Sequence, residues 1–287
     1  MAAASSSMTS DPGFIRLLLS RRSVIVALVV FVIIAGLCLF AAWVAPMSPS
    51  KMAVRARLSP PFGDYLLGAD AYGRDVLSRL LYAGRTSLMI GFGVATLSTL
   101  IGICIGLVAG FFRKLDAPLS RLIDAMMAFP DILLAIALVA ILGGSMINVI
   151  LALSIVYVPR FARISRASTL VIRELPFVEA SRALGSSTRY VILNHVLRNI
   201  VSPITVQATF IFAYAMLAEA GLSFLGVGID PATPTWGTMI NEGRQFIDQA
   251  TWLIVFPGLA ISISVLSLQI IGDGLRDALD PRLAKDM

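Results

Sequence analysis

Five stretches of this chain run on without one charged side chain: residues 24–44, 88–112, 132–159, 200–218 and 250–272, of 21, 25, 28, 19 and 23 residues. A helix rises about 1.5 Å per residue, so roughly 20 apolar residues cross the hydrocarbon core of a bilayer. Inside that core every backbone N–H and C=O must be paired within the protein, which leaves helices and closed barrels as the only spanning forms. A barrel would show short segments of alternating polarity instead of long uniform runs. The runs therefore predict an all-α, polytopic membrane protein. Composition agrees: 57% of residues are hydrophobic and 14% charged, against about half and a quarter in soluble domains.

Six transmembrane helices are expected, at 24–44, about 87–112, 120–142, 146–164, 199–218 and 250–272. The longest run is divided by Gly143-Gly144-Ser145, a turn signal. The first run exceeds the roughly 7–15 apolar residues of a signal peptide and is read as a retained helix. The chain then divides into an N-terminal tail (1–23), a first helix (24–45), an outer segment (46–86), a five-helix core (87–275) with a loop at 165–198, and a C-terminal tail (276–287).

Placing both termini in the cytoplasm puts 16 of the 23 Lys and Arg on the inner side and 7 on the outer side, in the sense of the positive-inside rule. That bias also accounts for the net charge of +6 without a nucleic-acid partner. Cys38 and Cys104 both lie in apolar runs; they read as packing residues, and neither a disulfide framework nor a zinc site is expected. In the outer segment, GRDVLSRLLYAGRTSL places Val76, Leu77, Leu80 and Leu81 opposite Arg74, Asp75 and Arg79, which predicts a helix lying at the membrane surface. Gly102, Gly106 and Gly110 form a tandem GxxxG, a spacing that lets helices approach closely.

One loop stands out. It holds seven basic residues between Arg160 and Arg198 and the only histidine, His195. Within it, Pro176 suits the first turn of a helix and Gly185 suits its end. Phe177, Ala180 and Leu184 fall on one face of this short helix, Glu179 and Arg182 on another. So short a helix is unstable alone in water and needs a surface to lie on, either its own protein and lipid headgroups or a partner.

The residues EASRALG (179–185), followed nine residues later by HVLR (195–198), resemble the cytoplasmic-loop signature of the transmembrane subunits of ABC importers. That pattern reads Glu-Ala-Ala, three residues, Gly, nine residues, Ile, one residue, Leu-Pro. Glu179, Ala180, Gly185 and Leu197 match; Ser181 stands for Ala, His195 for Ile and Arg198 for Pro. LLGADAYGRDVLSRLLYAGRTSL (66–88), LAEAGLSFLGVGIDPATPTWGTMI (217–240) and GDGLRDALDPRL (272–283) resemble the dipeptide, oligopeptide and nickel branch of that family, specifically its second, C-type permease. The likeness covers about residues 20–283 in order.

The resemblance implies six transmembrane helices with a short cytoplasmic coupling helix, in a bacterial inner-membrane permease for peptides. Glu179, Ala180, Ser181, Arg182, Leu184 and Gly185 would seat in a cytoplasmic ATPase, with a side chain at position 185 causing clash or strain. Implied partners are a second homologous permease, two ATPases or one fused, and an extracytoplasmic solute-binding protein. ATP and Mg would bind in those partners, since this chain lacks G-x-x-x-x-G-K-[ST]. It also lacks H-E-x-x-H and G-x-S-x-G, so no catalytic residue, resident cofactor or metal site is assigned.

Charges within spans should face protein or water. Asp131 reads equally as a packing carboxylate near Pro130 or as a polar point on the translocation path. Asp124 and Arg160 read as interfacial, with Arg160 near the inner end of its helix and snorkelling; both are kept as path candidates. Glu219 reads as solvated at an outer helix end, and 221–252 as an outer gate, docking surface or packed cap. Nickel or glutathione in the same machinery is the alternative cargo. An ion-coupled transporter using Asp124 and Asp131 as proton sites is the rival from another class, and an intramembrane enzyme a third.

Overall fold

The computed structural model describes residues 21–230 and 232–279. The chain folds into helices α1 (Arg22–Leu39), α2 (Val76–Phe111), α3 (Arg113–Met127), α4 (Asp131–Leu142), α5 (Met146–Ile172), α6 (Pro176–Ala183), α7 (Thr188–Phe224), α8 (Trp236–Gly243) and α9 (Trp252–Leu279). The start of α7 includes a widened π-helical turn at Val191–Val196. Helices α1, α2, α5, α7 and α9 are each long and apolar enough to cross a membrane, and α3 and α4 reach that length and apolarity only when taken together across a 91° bend.

That bend divides what the apolar pattern presents as one span over 120–142. Pro130 causes it. A proline lacks the N–H that would bond one turn back, and it pushes the preceding residue out of the helical region. Phe129 and Pro130 therefore lie between the two helices, with Pro130 extended (φ −59°, ψ 127°) as α4 begins.

Three other boundaries move. The predicted surface helix within 73–88 is instead the first turns of α2. Asp75 caps it by accepting hydrogen bonds from Ser78 N (2.8 Å) and Ser78 Oγ (2.6 Å), and no breaker interrupts the 36 residues that follow. At about 1.5 Å per residue, α2 is roughly 54 Å long, well beyond the roughly 30 Å of hydrocarbon. Arg79, expected on a solvated face, is 4% exposed. Helix α5 runs to Ile172 rather than 164, and α7 begins at Thr188 rather than 199. The loop expected at 165–198 shrinks to a few residues on either side of α6.

The tandem glycines find their partner within the chain. Helix α2 lies along α5, and a Cβ placed at Gly106 would stand 2.6 Å from Ala162 O and 2.9 Å from Arg166 N, both backbone atoms. At Gly102 it would stand 3.0 Å from Val158 O, and at Gly110 2.6 Å from Thr169 Cβ. Opposite the glycines, Ser165 and Thr169 are fully buried with hydroxyls that meet no partner, so it is their size that the packing uses. Ile90, Val94, Leu153, Phe161, Ile200 and Ile211 fill the space among α2, α5 and α7. A second core joins Cys38, Val76, Trp236, Met239, Leu253 and Val265, from α1, α2, α8 and α9. Arg21 and Asp277 form an ion pair, which ties the start of α1 to the last turn of α9. The tails at 1–20 and 280–287, with Arg16, Arg282 and Lys285 of the charge count, lie outside the described residues.

Candidate functional site

Helix α6 occupies the turn between α5 and α7. Pro176 takes its first position, where the missing N–H removes no bond. Its end is a Schellman closure: Gly185 N donates to Arg182 O at 2.9 Å and Ser186 N to Ser181 O at 3.1 Å. This closure needs a left-handed residue after the helix, and Gly185 has φ +84°. A Cβ there would meet nothing within 4 Å. The expected penalty for a side chain is therefore backbone strain alone, without a clash.

The inward contact of α6 is Val178, 0% exposed and packed with Ile172, Val191 and Val196. The face expected to dock turns outward: Phe177 is 44% and Leu184 87% exposed, and Ala180 is exposed. Glu179 is exposed and belongs to no ion pair among the described residues. Arg182 lies over the Phe111 ring (4.8 Å to the centroid), so α6 leans on the end of α2. Arg173 caps that end, donating from Nη1 to Gly110 O at 2.6 Å. Arg113, Arg173, Glu174, Glu179 and Arg182 line a cleft of about 560 Å³ beside it. Ser181 Oγ bonds to Ser186 Oγ (3.0 Å) and to His195 Nε2 (3.2 Å), joining α6 to the foot of α7.

Three ion pairs join α5 to the bent pair α3–α4. Arg160 binds Asp131. Arg163 Nη2 donates to Asp124 Oδ1 at 2.7 Å. Arg166 grips Asp116 with two bonds, Nε to Oδ1 at 2.5 Å and Nη2 to Oδ2 at 3.1 Å. The three arginines recur every third residue along α5, and the three acids lie on the bent pair α3–α4. Arg160 is thus twelve residues from the end of α5, held by Asp131 instead of snorkelling to an inner interface. Its guanidinium also lies 5.4 Å from the Tyr157 ring centre and 5.7 Å from that of Tyr214. Asp131, Tyr157, Tyr214 and Leu217 line a hollow of about 240 Å³. Asp124 and Arg163 are more open, with side chains 66% and 52% exposed.

Two further groups lie elsewhere than the sequence predicts. Glu219 is 0% exposed, contrary to the expectation of a solvated helix end. Ser223 Oγ donates to its Oε1 at 2.7 Å and Ser87 Oγ to its Oε2 at 3.3 Å. Ser87 Oγ in turn accepts from Trp236 N at 3.2 Å, and Trp236 Nε1 donates to Leu80 O at 3.0 Å. Helix α8 is therefore a packed cap on α2 and α7. Beside it, Glu242 Oε2 accepts from Arg74 Nη2 (2.8 Å) and Arg79 Nη2 (3.0 Å), and Arg74 Nε donates to Asp70 Oδ2 at 2.5 Å. The only early signal for either group was an acid or arginine beside an apolar run. Among the described residues, no cluster of His, Cys, Asp and Glu is arranged to hold a metal ion.

Comparison with known proteins places this arrangement. Residues 102–285 match the family described as the binding-protein-dependent transport system inner membrane component. Residues 13–61 match the N-terminal transmembrane domain of oligopeptide transport permease C. A putative peptide transport system permease protein of Brucella suis is 47% identical over 268 residues, covering 93% of this chain and 90% of that one. The di/tripeptide transport system permease protein DppC of Pseudomonas aeruginosa is 44% identical over 261 residues, 88% of this chain and 86% of its own. The dipeptide transport system permease protein DppC of Escherichia coli is 42% identical over 270 residues, 92% of this chain and 90% of its own. In fold, a chain of the inward-facing MetNI methionine ABC transporter superposes with a TM-score of 0.58 at 19% identity, covering 70% of this chain and 97% of that one.

Proposed function

The chain belongs to the family of binding-protein-dependent transport system inner membrane components, and from that premise we infer that it is the C-type transmembrane subunit of an ATP-driven peptide importer. Membership makes it a permease and not a catalytic enzyme. The relatives' names support peptides as the cargo. ATP hydrolysis, with its Mg, falls to cytoplasmic partner subunits. A second homologous permease completes the pathway, and an extracytoplasmic binding protein delivers peptide. Both termini and α6 then lie in the cytoplasm of a bacterial cell, in accord with the basic residues clustered at that end.

The observation that carries this reading is α6 itself. It is fixed inward by Val178 and presents outward Phe177, Ala180, Leu184 and a Glu179 that has no ion pair among the described residues. An exposed apolar face rimmed by charge is what a docking surface requires. Three residues, 173–175, join α6 to α5, and α5 is seated in the glycines of α2. A displacement of α6 by closing ATPases therefore moves α5 and α2 together, while the bent pair α3–α4, held by Asp116, Asp124 and Asp131, adjusts around them. Such differential docking shifts the equilibrium between inward-open and outward-open forms. Asp124 and Asp131, the two proton sites of the ion-coupled rival, are each engaged by an arginine.

The test is a mild-detergent pull-down on this chain with ATPase activity assayed in the eluate. A P-loop protein and a second permease are expected to co-elute. Gly185→Val strains the left-handed closure by about 1–2 kcal/mol, a fall of roughly 5–30-fold in the closed helix end; it should release the ATPase and stop uptake. Gly185→Asn, which tolerates that backbone better, should retain more of both. A chain that elutes alone, or a Gly185→Val variant that keeps its ATPase and full uptake, refutes the reading.

A further inference from the structure

Two of the positions at which this chain departs from the coupling-loop pattern touch each other. Ser181 stands where the pattern has Ala, and His195 where it has Ile. Fourteen residues apart, they are 3.2 Å from Oγ to Nε2. An apolar pair at these places would make a contact without direction. This pair makes a directional bond.

Its surroundings fix it further. Ser181 and Ser186 occupy the two positions of the Schellman closure whose side chains ordinarily meet in an apolar contact. Here two hydroxyls meet, and Ser181 Oγ donates its one proton to Ser186 Oγ at 3.0 Å. The same oxygen meets His195 Nε2, which donates to it in the Nε2–H tautomer. The imidazole is held between Phe177 (ring centres 5.8 Å apart, planes at 62°) and Tyr190 (5.6 Å, 79°), both edge-on. His195 lies in the π-helical turn Val191–Val196, a local widening often found at functional positions.

We propose that His195 is a positioning residue for the coupling helix: through Ser181 it fixes the rotation of α6 against the foot of α7, so that movement of α6 reaches α7 as well as α5. Helix α7 carries Tyr214 of the Asp131 hollow and Glu219 under the α8 cap. Val178 anchors α6 in the core and Arg182 leans it on α2, but neither contact is directional in this sense. The inference rests on the coupling reading of α6.

The test uses the assembled transporter in proteoliposomes with its binding protein, measuring radiolabelled dipeptide uptake and ATP hydrolysis in parallel. Ser181→Ala and His195→Ile, each alone, remove the bond between α6 and the foot of α7 and leave a polar group of the other residue facing an apolar one. Each should lower uptake per ATP hydrolysed by about 5-fold, the scale of one hydrogen bond, with assembly intact by pull-down. The double variant restores the apolar pair and should return to within about twofold of the parent, so the two effects do not add. His195→Gln, which keeps a donor, should retain more coupling than His195→Ile; if His195→Ile fails to assemble, His195→Gln paired with Ser181→Ala decides the case in the same way. Unchanged uptake per ATP in both single variants, or effects that simply add in the double, overturns the proposal. The two readings separate on Gly185→Val: if it uncouples while the His195 variants do nothing, only the positioning role fails, and if it too does nothing, the coupling assignment fails with it.

Discussion

The tightest joint in the molecule makes a quantitative claim. In Gly106→Ala the new methyl would stand 2.6 Å from Ala162 O and 2.9 Å from Arg166 N, and closer still to Ser165 Cβ. Carbon needs about 3.5–4.0 Å from carbon and about 3.3 Å from a carbonyl oxygen. Two of the three obstacles are backbone atoms of α5, so no rotamer change relieves them, and α2 and α5 must part by about 1 Å. A gap of that size forfeits a quarter to a half of the dispersion energy across it. Because Gly102 and Gly110 lie about 6 Å above and below on the same line, their contacts open too. Overpacking of this kind costs about 1–3 kcal/mol, and backbone obstruction places Gly106→Ala in the upper half of that range. For a chain of this size that is a fall in Tm of roughly 5–10 °C, readable by thermal unfolding of the detergent-purified protein. Gly36→Ala is the control, since its Cβ meets nothing within 4 Å, and it should leave Tm unchanged or raise it. Adding Ser165→Gly to Gly106→Ala removes only the Cβ contact and should recover less than half of the loss. A Tm for Gly106→Ala within about 2 °C of the parent would refute the close-approach argument.

Three more expectations follow from the polar groups. Glu219→Leu strands the Ser223 hydroxyl in the core, a loss of about 1–3 kcal/mol, and should loosen α8 so that trypsin cuts faster at the adjacent exposed Arg244. Glu219→Gln keeps the hydrogen-bonding capacity and should stay resistant; equal resistance in both variants counts against the Glu219 node. Arg79→Met leaves Glu242 with Arg74 alone. Breaking a buried pair costs about 3–5 kcal/mol, and because the Glu242 side chain is 30% exposed the fall in Tm should correspond to the low end. No change in Tm would mean the pair is idle. Asp131→Asn should cut peptide uptake severalfold with normal subunit recovery in a pull-down, whereas failed assembly would assign Asp131 to packing.

The long uncharged runs made the helical membrane fold legible, because the bilayer admits so few alternatives. The ends of those helices are not legible, because charged residues continue inside α2, α5 and α7 past the ends of the apolar runs. Arg160, Arg163 and Arg166 straddle the inner end predicted at 164, yet all three lie within α5, and their three-residue spacing matters only once α3–α4 brings Asp116, Asp124 and Asp131 alongside. Glu219 was misplaced for the same reason. Its partner Ser87 is 132 residues away, and no local pattern announces a hydroxyl that distant. The tandem glycines announced a close helix contact but not its partner. The start and stop of α6 were legible because Pro176 and Gly185 act locally, while its orientation was not, since Val178 turns inward only against residues of α5 and α7.

The cap at the far end from α6 also sets an order of events during synthesis. Arg74 and Glu242 are 168 residues apart, Arg79 and Glu242 are 163, and Trp236 and Leu80 are 156. At roughly 5–20 residues per second, a ribosome needs on the order of 10–30 s to make that intervening chain. For that interval the start of α2 holds Arg74 and Arg79 with only Asp70 and Asp75 as nearby carboxylates. Their burial waits for α8, and the Arg21–Asp277 pair waits longer still. A nascent chain stopped after α7 has every helix needed for the α2–α5–α7 core and none of the lid over it, so that end of the core stays uncovered until α8 is made.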